Sequence, residues 1–289
     1  MSNPNSLTIF FVTISVLFLV KSPVEKVSAA FFKRILPAHK FPSEEQRHSK
    51  AEMIGERCFK LIINFFCMAS LFKLMSGNDC DFMDVRVGGS VQRPLYYDNY
   101  PCQVIPRHLE EFYLFKISYH LYELGYTILK QRNRPDFPEY MLHHLMTWSL
   151  IFFSYSLNML PIGAAVMILH DITDLTVTIF KITVDVTHIA IQMSSYVFML
   201  ATWIYFRLWY FPGYVIGRLY EECYVQLTCK NINYSVLNML FAFLSGLACL
   251  HVFWFYLMVK GFMRRCKSKA GFVKGVSVVS TVNQVNTAE

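Results

Sequence analysis

The chain has 289 residues, of which 54% are hydrophobic, 16% aromatic and only 16% charged. A soluble domain usually carries about 25% charged residues, so this deficit points to lipid as the solvent. The net charge of +7 calls for no nucleic acid, because Lys and Arg gather on the cytosolic flanks of membrane spans.

Seven stretches are long and apolar enough to consider as spans, at 7–20, 59–75, 108–130, 141–158, 161–181, 191–211 and 236–259. Ten-residue alternation does not recur, which favours helices over a barrel. The expected fold is all-α, a multi-pass transmembrane helical bundle of about seven spans. Its expected organisation is 1–44 as a first span with a cytosolic amphipathic segment, 45–265 as the main membrane domain, and 266–289 as a disordered cytosolic tail.

In chain order, the first span lacks a preceding basic residue and is followed at once by Lys21. That is the reverse of a signal peptide, although Val27-Ser28-Ala29 resembles a cleavage site. The segment Pro37–Arg57 is polar and amphipathic and is expected to lie along the cytosolic surface. The fourth and fifth spans are separated only by Met159 and Leu160 before Pro161. Pro is tolerated at a helix start, because that amide has no helical partner anyway, so a turn is expected there. With seven spans and a cytosolic C-terminus, eighteen Lys and Arg fall on the cytosolic side. Six (Arg86, Arg93, Arg107, Arg207, Arg218 and Lys230) fall on the lumenal side. Cys80, Cys102, Cys223 and Cys229 then lie in lumenal loops, and disulfides need that oxidising side.

The informative residues are polar ones at membrane depth, where an ionisable group is costly and points to function. The fourth span opens with His143-His144, and Thr147 shares a face with His143. The fifth carries His170, Asp171 and Asp174, spaced so that all three approach one line of a helix, with Lys181 continuing that face. Antiparallel spans bring His144 and Asp174 to similar depth, roughly 20 Å from the Pro161 turn. An imidazole and carboxylate set of this kind suits proton transfer or nucleophilic catalysis. It would also suit a Zn²⁺-dependent lipid hydrolase. A third reading is a non-enzymatic lipid-binding, lipid-sensing or translocation-associated protein.

The run from His143-His144 through Thr147, Ser154-Tyr155, Asn158, Gly163 and His170-Asp171-x-x-Asp174 to Lys181 closely resembles the signature of ceramide synthases, in the TLC-domain family. Flanking pieces agree: Tyr119-His-Leu-Tyr122, Arg132–Phe137, Phe206–Pro212 and Phe253-Trp254-Phe255. The resemblance covers about 45–262. It implies an endoplasmic-reticulum membrane enzyme that N-acylates a long-chain sphingoid base, with acyl-CoA as co-substrate and neither bound cofactor nor metal. His143, His144, His170, Asp171 and Asp174 would be catalytic. Thr147, Ser154, Tyr155, Asn158 and Lys181 would contact substrate. The resemblance further implies membrane lipid and a homo- or heterodimer with family members as partners, and a role in acyl-chain choice for about 213–234. Two positions depart from the usual pattern: Pro161 stands where an Arg is common and Thr178 where a Glu is common.

Overall fold

A computed structural model describes residues 6–77, 80–94, 96, 100, 104–132, 137–227, 229 and 232–267. Among these residues seven helices form one antiparallel bundle. They are α1 (Ser6–Ile35), α2 (Glu44–Met75), α3 (Leu109–Lys130), α4 (Phe137–Ser156), α5 (Leu160–Val186), α6 (Ile189–Val225) and α7 (Tyr234–Lys267). A two-residue hairpin follows α2, pairing β1 (Ser76–Gly77) antiparallel with β2 (Cys80–Asp81). Five helices, α1, α2, α5, α6 and α7, are long and apolar enough to cross a membrane. The two others, α3 and α4, hold Glu, Lys and His side chains on their inner faces. The protein is a multi-pass membrane protein with the expected all-α fold.

The central helix is α5: 61% of its apolar window is buried, against 11% for α1. Lipid tails are as apolar as Leu, so van der Waals packing and interhelical hydrogen bonds hold such a bundle, at about 0.6–2 kcal/mol per bond. Thr176 and Thr202 join α5 to α6 at 2.9 Å, and Tyr196 donates from α6 to the Met258 carbonyl of α7 at 3.2 Å.

Three helices run further than the apolar runs suggest. Helix α1 continues past Lys21 because that ammonium is buried against Glu123 of α3 at 3.2 Å and lies 3.3 Å from the centroid of the Tyr126 ring. Helix α2 begins at an N-cap, where Ser43 Oγ accepts from the Gln46 amide. Residues 44–57 are therefore the first half of one helix and not a separate surface segment. Their polarity serves α5, since Lys50 and Arg57 both pair with buried Asp185 at 3.2 and 2.7 Å. Helix α6 passes through Pro212 in wide π turns over Trp203–Ile216 and carries on to Val225. Much of the expected loop at 213–234 is thus helix. Arg207, counted above on the lumenal side, is buried inside the bundle. Removing it leaves the direction of the charge bias unchanged.

One end of the bundle gathers the residues between α2 and α3, the α4–α5 turn and the α6–α7 connection. Tyr205 donates to the Arg86 carbonyl at 2.8 Å, Tyr100 to the Leu157 carbonyl at 2.7 Å, and Arg93 pairs with Glu221 at 3.1 Å. Cys223 and Cys229 form a disulfide at this end, which the lumenal assignment allows. Cys102, Asp98, the segment 133–136 and the tail from 268 lie outside the described residues.

Candidate active site

Helices α3 to α7 enclose a cavity with roughly 810 Å³ free of protein atoms, its open mouth included. Its polar wall is made by Lys116, His120, His143, Thr147, His170, Asp171 and Asp174. Its apolar wall includes Leu150, Ile151, Ile162, Leu219, Leu240 and Leu244. The two walls are offset along the bundle. Leu150 is seven residues beyond His143, or about 10 Å along α4 toward the α4–α5 turn.

The acidic residues of α5 each meet a cation from another helix. Lys116 of α3 donates to both carboxylate oxygens of Asp171, at 2.8 and 3.0 Å, and both side chains are buried. Arg207 of α6 donates to Asp174, which remains half-exposed toward the cavity. Arg207 is further held by Thr173 Oγ1 at 2.6 Å. The positive and negative charges of the polar wall therefore cancel in pairs.

The imidazoles are treated differently. His143 lines the cavity and rests edge-on against Trp254 of α7, with ring centroids 5.1 Å apart. Its Nδ1 is buried without a hydrogen-bond partner, as are His120 Nδ1 and Thr147 Oγ1. His170 gives Nδ1 to the Val166 carbonyl at 2.8 Å and faces His251 of α7 through Nε2 at 3.2 Å. His144 does not line the cavity. It packs edge-on against Tyr140 at 4.3 Å, with both ring nitrogens unpartnered.

The remaining expected residues divide. Ser154 lines the cavity but also donates to the Met159 carbonyl at 2.6 Å and meets Tyr113 OH at 3.1 Å. Tyr113 in turn donates to the Leu160 carbonyl at 2.6 Å, so the pair clips the α4–α5 turn. Gly163 is required beside this clip, since a Cβ would lie 2.2 Å from Ser154 Oγ and 2.3 Å from Tyr113 OH. Asn158 forms the turn itself at φ 56°, a left-handed conformation that Asn tolerates better than most residues. Tyr155 is half-buried near Tyr113, with ring centroids 6.3 Å apart. Lys181 lies off the cavity, and its carbonyl accepts from Arg57 at 2.7 Å. Among the described residues, no group of three or more His, Cys, Asp or Glu side chains is arranged to hold a metal ion.

Four polar residues in or beside the site were given no role from the sequence: Lys116, His120, Arg207 and His251. Each is an ionisable group within a long helix of the bundle, which is the signal that could have found it.

The TLC domain family matches residues 54–260. The chain belongs to the TLC-domain family. It is 26% identical over 215 residues to "Ceramide synthase LOH2" of Arabidopsis thaliana, covering 70% of each chain. It is 26% identical over 234 residues to "Ceramide synthase 1 LOH3" of the same plant, covering 78% of this chain and 72% of that one. It is 33% identical over 165 residues to "Ceramide synthase 4" of Bos taurus, covering 56% of this chain and 40% of the bovine one. The match thus spans less than half of the bovine relative's length. The motif resemblance to ceramide synthases is borne out.

Proposed function

We propose that this protein is a sphingoid base N-acyltransferase of the endoplasmic-reticulum membrane. It joins the fatty acyl group of acyl-CoA to the amine of a long-chain sphingoid base, giving (dihydro)ceramide. The observation that carries this reading is one cavity, in a chain akin to ceramide synthases, whose polar wall joins His143, His170, Asp171 and Asp174 and whose other wall is apolar. Both reactants are amphipathic. Their chains fit the Leu and Ile wall, and their reacting groups fit the polar band. The CoA head group would lie toward the basic cytosolic end of the bundle, where Lys130 and Arg132 stand.

The chemistry follows from the charges. Only a neutral amine attacks a thioester, so the ammonium form must lose a proton. A neutral imidazole can take it, since the unperturbed pKa of His is about 6.5. The C–N bond then forms, the C–S bond breaks, and CoA leaves as the thiol. A neutral His can alternatively attack first, giving an acyl-imidazole that the amine resolves. His143 is the group placed for either step, because it lines the cavity and no hydrogen bond ties up its Nδ1. Lys116 is a fixed cation at the same wall and can stabilise the oxyanion of the tetrahedral intermediate. No bound cofactor takes part in this scheme.

Lipid analysis of cells lacking endogenous ceramide synthase and expressing this chain tests the proposal. New ceramides are expected, and their acyl lengths would report substrate preference. A cell lipid profile identical to the empty-vector control, with the protein present in the membrane, would overturn it.

A further inference from the structure

His251 belongs to no motif discussed so far and does not line the cavity, yet it is fully buried directly behind a residue that does. The Val166 carbonyl can only accept, so His170 carries a hydrogen on Nδ1. The second nitrogen of His170 faces His251 Nε2 at 3.2 Å, so one hydrogen lies between the two rings. Arg207 Nη1 can only donate and lies 3.1 Å from the same His251 Nε2, which accepts from it when the hydrogen between the rings stands on His170 and His170 is the imidazolium. Arg207 also holds Asp174 and, through Nη2, the His170 carbonyl at 3.3 Å. His251 is anchored in turn by Trp203, whose Nε1 donates to its carbonyl at 3.2 Å, and by the edge of Phe211.

We propose that His251 is a positioning residue for acyl transfer. It holds His170 by its second ring nitrogen and, through Arg207, ties the orientation of His170 to that of Asp174. The proposal rests on the acyltransferase reading for its kinetic part only. A side chain that can still hydrogen-bond to His170 Nε2 should preserve the arrangement, and one that cannot should release it. His251→Gln is the first kind, because its amide can both accept and donate. His251→Leu is the second kind and keeps a similar bulk.

The test uses the purified full chain and both variants, with thermal unfolding as the check on folding. The expected result for His251→Leu is a fall in kcat of about 10²-fold with KM for acyl-CoA changed by less than about twofold, as for a reacting group displaced from its geometry. For His251→Gln, kcat should stay near the parent value. A second readout needs no substrate. Carbethoxylation of His170 by diethyl pyrocarbonate, followed by mass spectrometry, should quicken in His251→Leu, where Nε2 is released, and stay at the parent rate in His251→Gln. A folded His251→Gln protein that loses as much kcat as expected of the Leu variant would overturn the proposal. So would equal His170 reactivity in all three proteins. If His251→Leu does not fold, the Gln variant still decides by its kcat and its His170 reactivity. If the parent makes no ceramide, the acyltransferase reading fails while the reactivity comparison still decides the positioning role.

Discussion

Two of the groups of ionisable side chains inside this bundle differ in what they border. In the first, between α1, α2 and α3, Lys21 meets Glu123 at 3.2 Å, Lys60 meets Glu123 at 3.4 Å and Glu56 at 3.2 Å, and Gln131 donates to Glu56 at 2.8 Å. None of these residues lines the cavity. In the second group the charges also cancel, Lys116 with Asp171 and Arg207 with Asp174. There, however, His143, His120 and Thr147 line the cavity, and each keeps a buried ring nitrogen or hydroxyl oxygen without a hydrogen-bond partner. Burying either group is costly. The first repays it with helix–helix registry, a recognised use of buried polar groups. The second leaves imidazoles beside fixed charges, the groups that acid–base and nucleophilic chemistry uses.

The largest expected effect breaks the comparison at its centre. His143→Ala should lower the rate of acyl transfer by about 10²–10⁴-fold if the imidazole acts as general base. CoA release by the purified protein measures it. His144→Ala should cost less, because His144 turns to Tyr140 and away from the cavity wall. Thr147→Val should cost less still. Wild-type turnover in folded His143→Ala protein would return the cavity group to the same structural status as the first.

A second experiment asks whether both groups are ion pairs of the same kind. Removing one partner of a buried pair typically costs about 3–5 kcal/mol, because the other charge is left uncompensated. Lys116→Met and Glu123→Gln should each be destabilised in that direction, by thermal unfolding in detergent. Replacing both partners should restore much of the loss in each group. The double variant Lys21→Met with Glu123→Gln should then remain active, whereas Lys116→Met with Asp171→Leu should fold and yet be inactive. An active Lys116 and Asp171 double variant would show that this pair, too, serves registry alone.

The sequence carried the cavity group unevenly, for physical reasons. His170, Asp171 and Asp174 share one face because helical spacing is fixed, and their depth relative to His143 needs only the rise per residue. His143, His170, Asp171 and Asp174 line one cavity, and His144 does not. The cations opposite them did not follow, because nothing local says that α3 and α6 flank α5. Lys116 reads as an isolated charge in a span, and Arg207 as the flank of one. The same error shortened α1 and α2, where Lys21, Lys50 and Arg57 look like span ends but are paired by Glu123 and Asp185 inside the bundle. In α6 the misleading residue is Pro212, which usually ends a helix and here sits within π turns. His144, Tyr155, Asn158 and Lys181 belong to the motif but lie off the cavity wall. For Asn158 the turn conformation accounts for the residue without any contact to substrate.

The clip at the α4–α5 turn offers a smaller effect that sharpens the distinction between site and scaffold. Gly163→Ala places a Cβ where Ser154 Oγ and Tyr113 OH already stand. Overpacking of this kind typically costs about 1–3 kcal/mol. The expected outcome is a lower unfolding midpoint with kcat reduced only modestly, since the turn lies at the apolar end of the cavity. Ser154→Ala in the same background removes one of the two clashing groups and should recover part of the loss. An unchanged midpoint in Gly163→Ala would mean that the turn is loose enough to move aside, and that the clip does not set the floor of the cavity.

The smallest expected effect concerns Thr178, one of the two positions that depart from the pattern the sequence resembles, where a Glu is expected. Thr178 lies one turn beyond Asp174 and donates its hydroxyl to the Asp174 carbonyl at 2.7 Å. It therefore adds no charge to a wall in which Lys116 balances Asp171 and Arg207 balances Asp174. A Glu at this position would break that balance by one negative charge and compete with Asp174 for Arg207. Two carboxylates would then share one guanidinium, and each would be held less firmly. Weaker pairing would also loosen Arg207 from His251 and, through it, from His170. Thr178→Glu should accordingly leave the fold intact and change turnover or acyl preference by a few-fold, about the scale of a 1 kcal/mol perturbation. The measurement is kcat/KM across a series of acyl-CoA lengths. Identical values for parent and variant at every length would show that position 178 only packs, and that the paired charges around Asp174 absorb an added carboxylate without consequence.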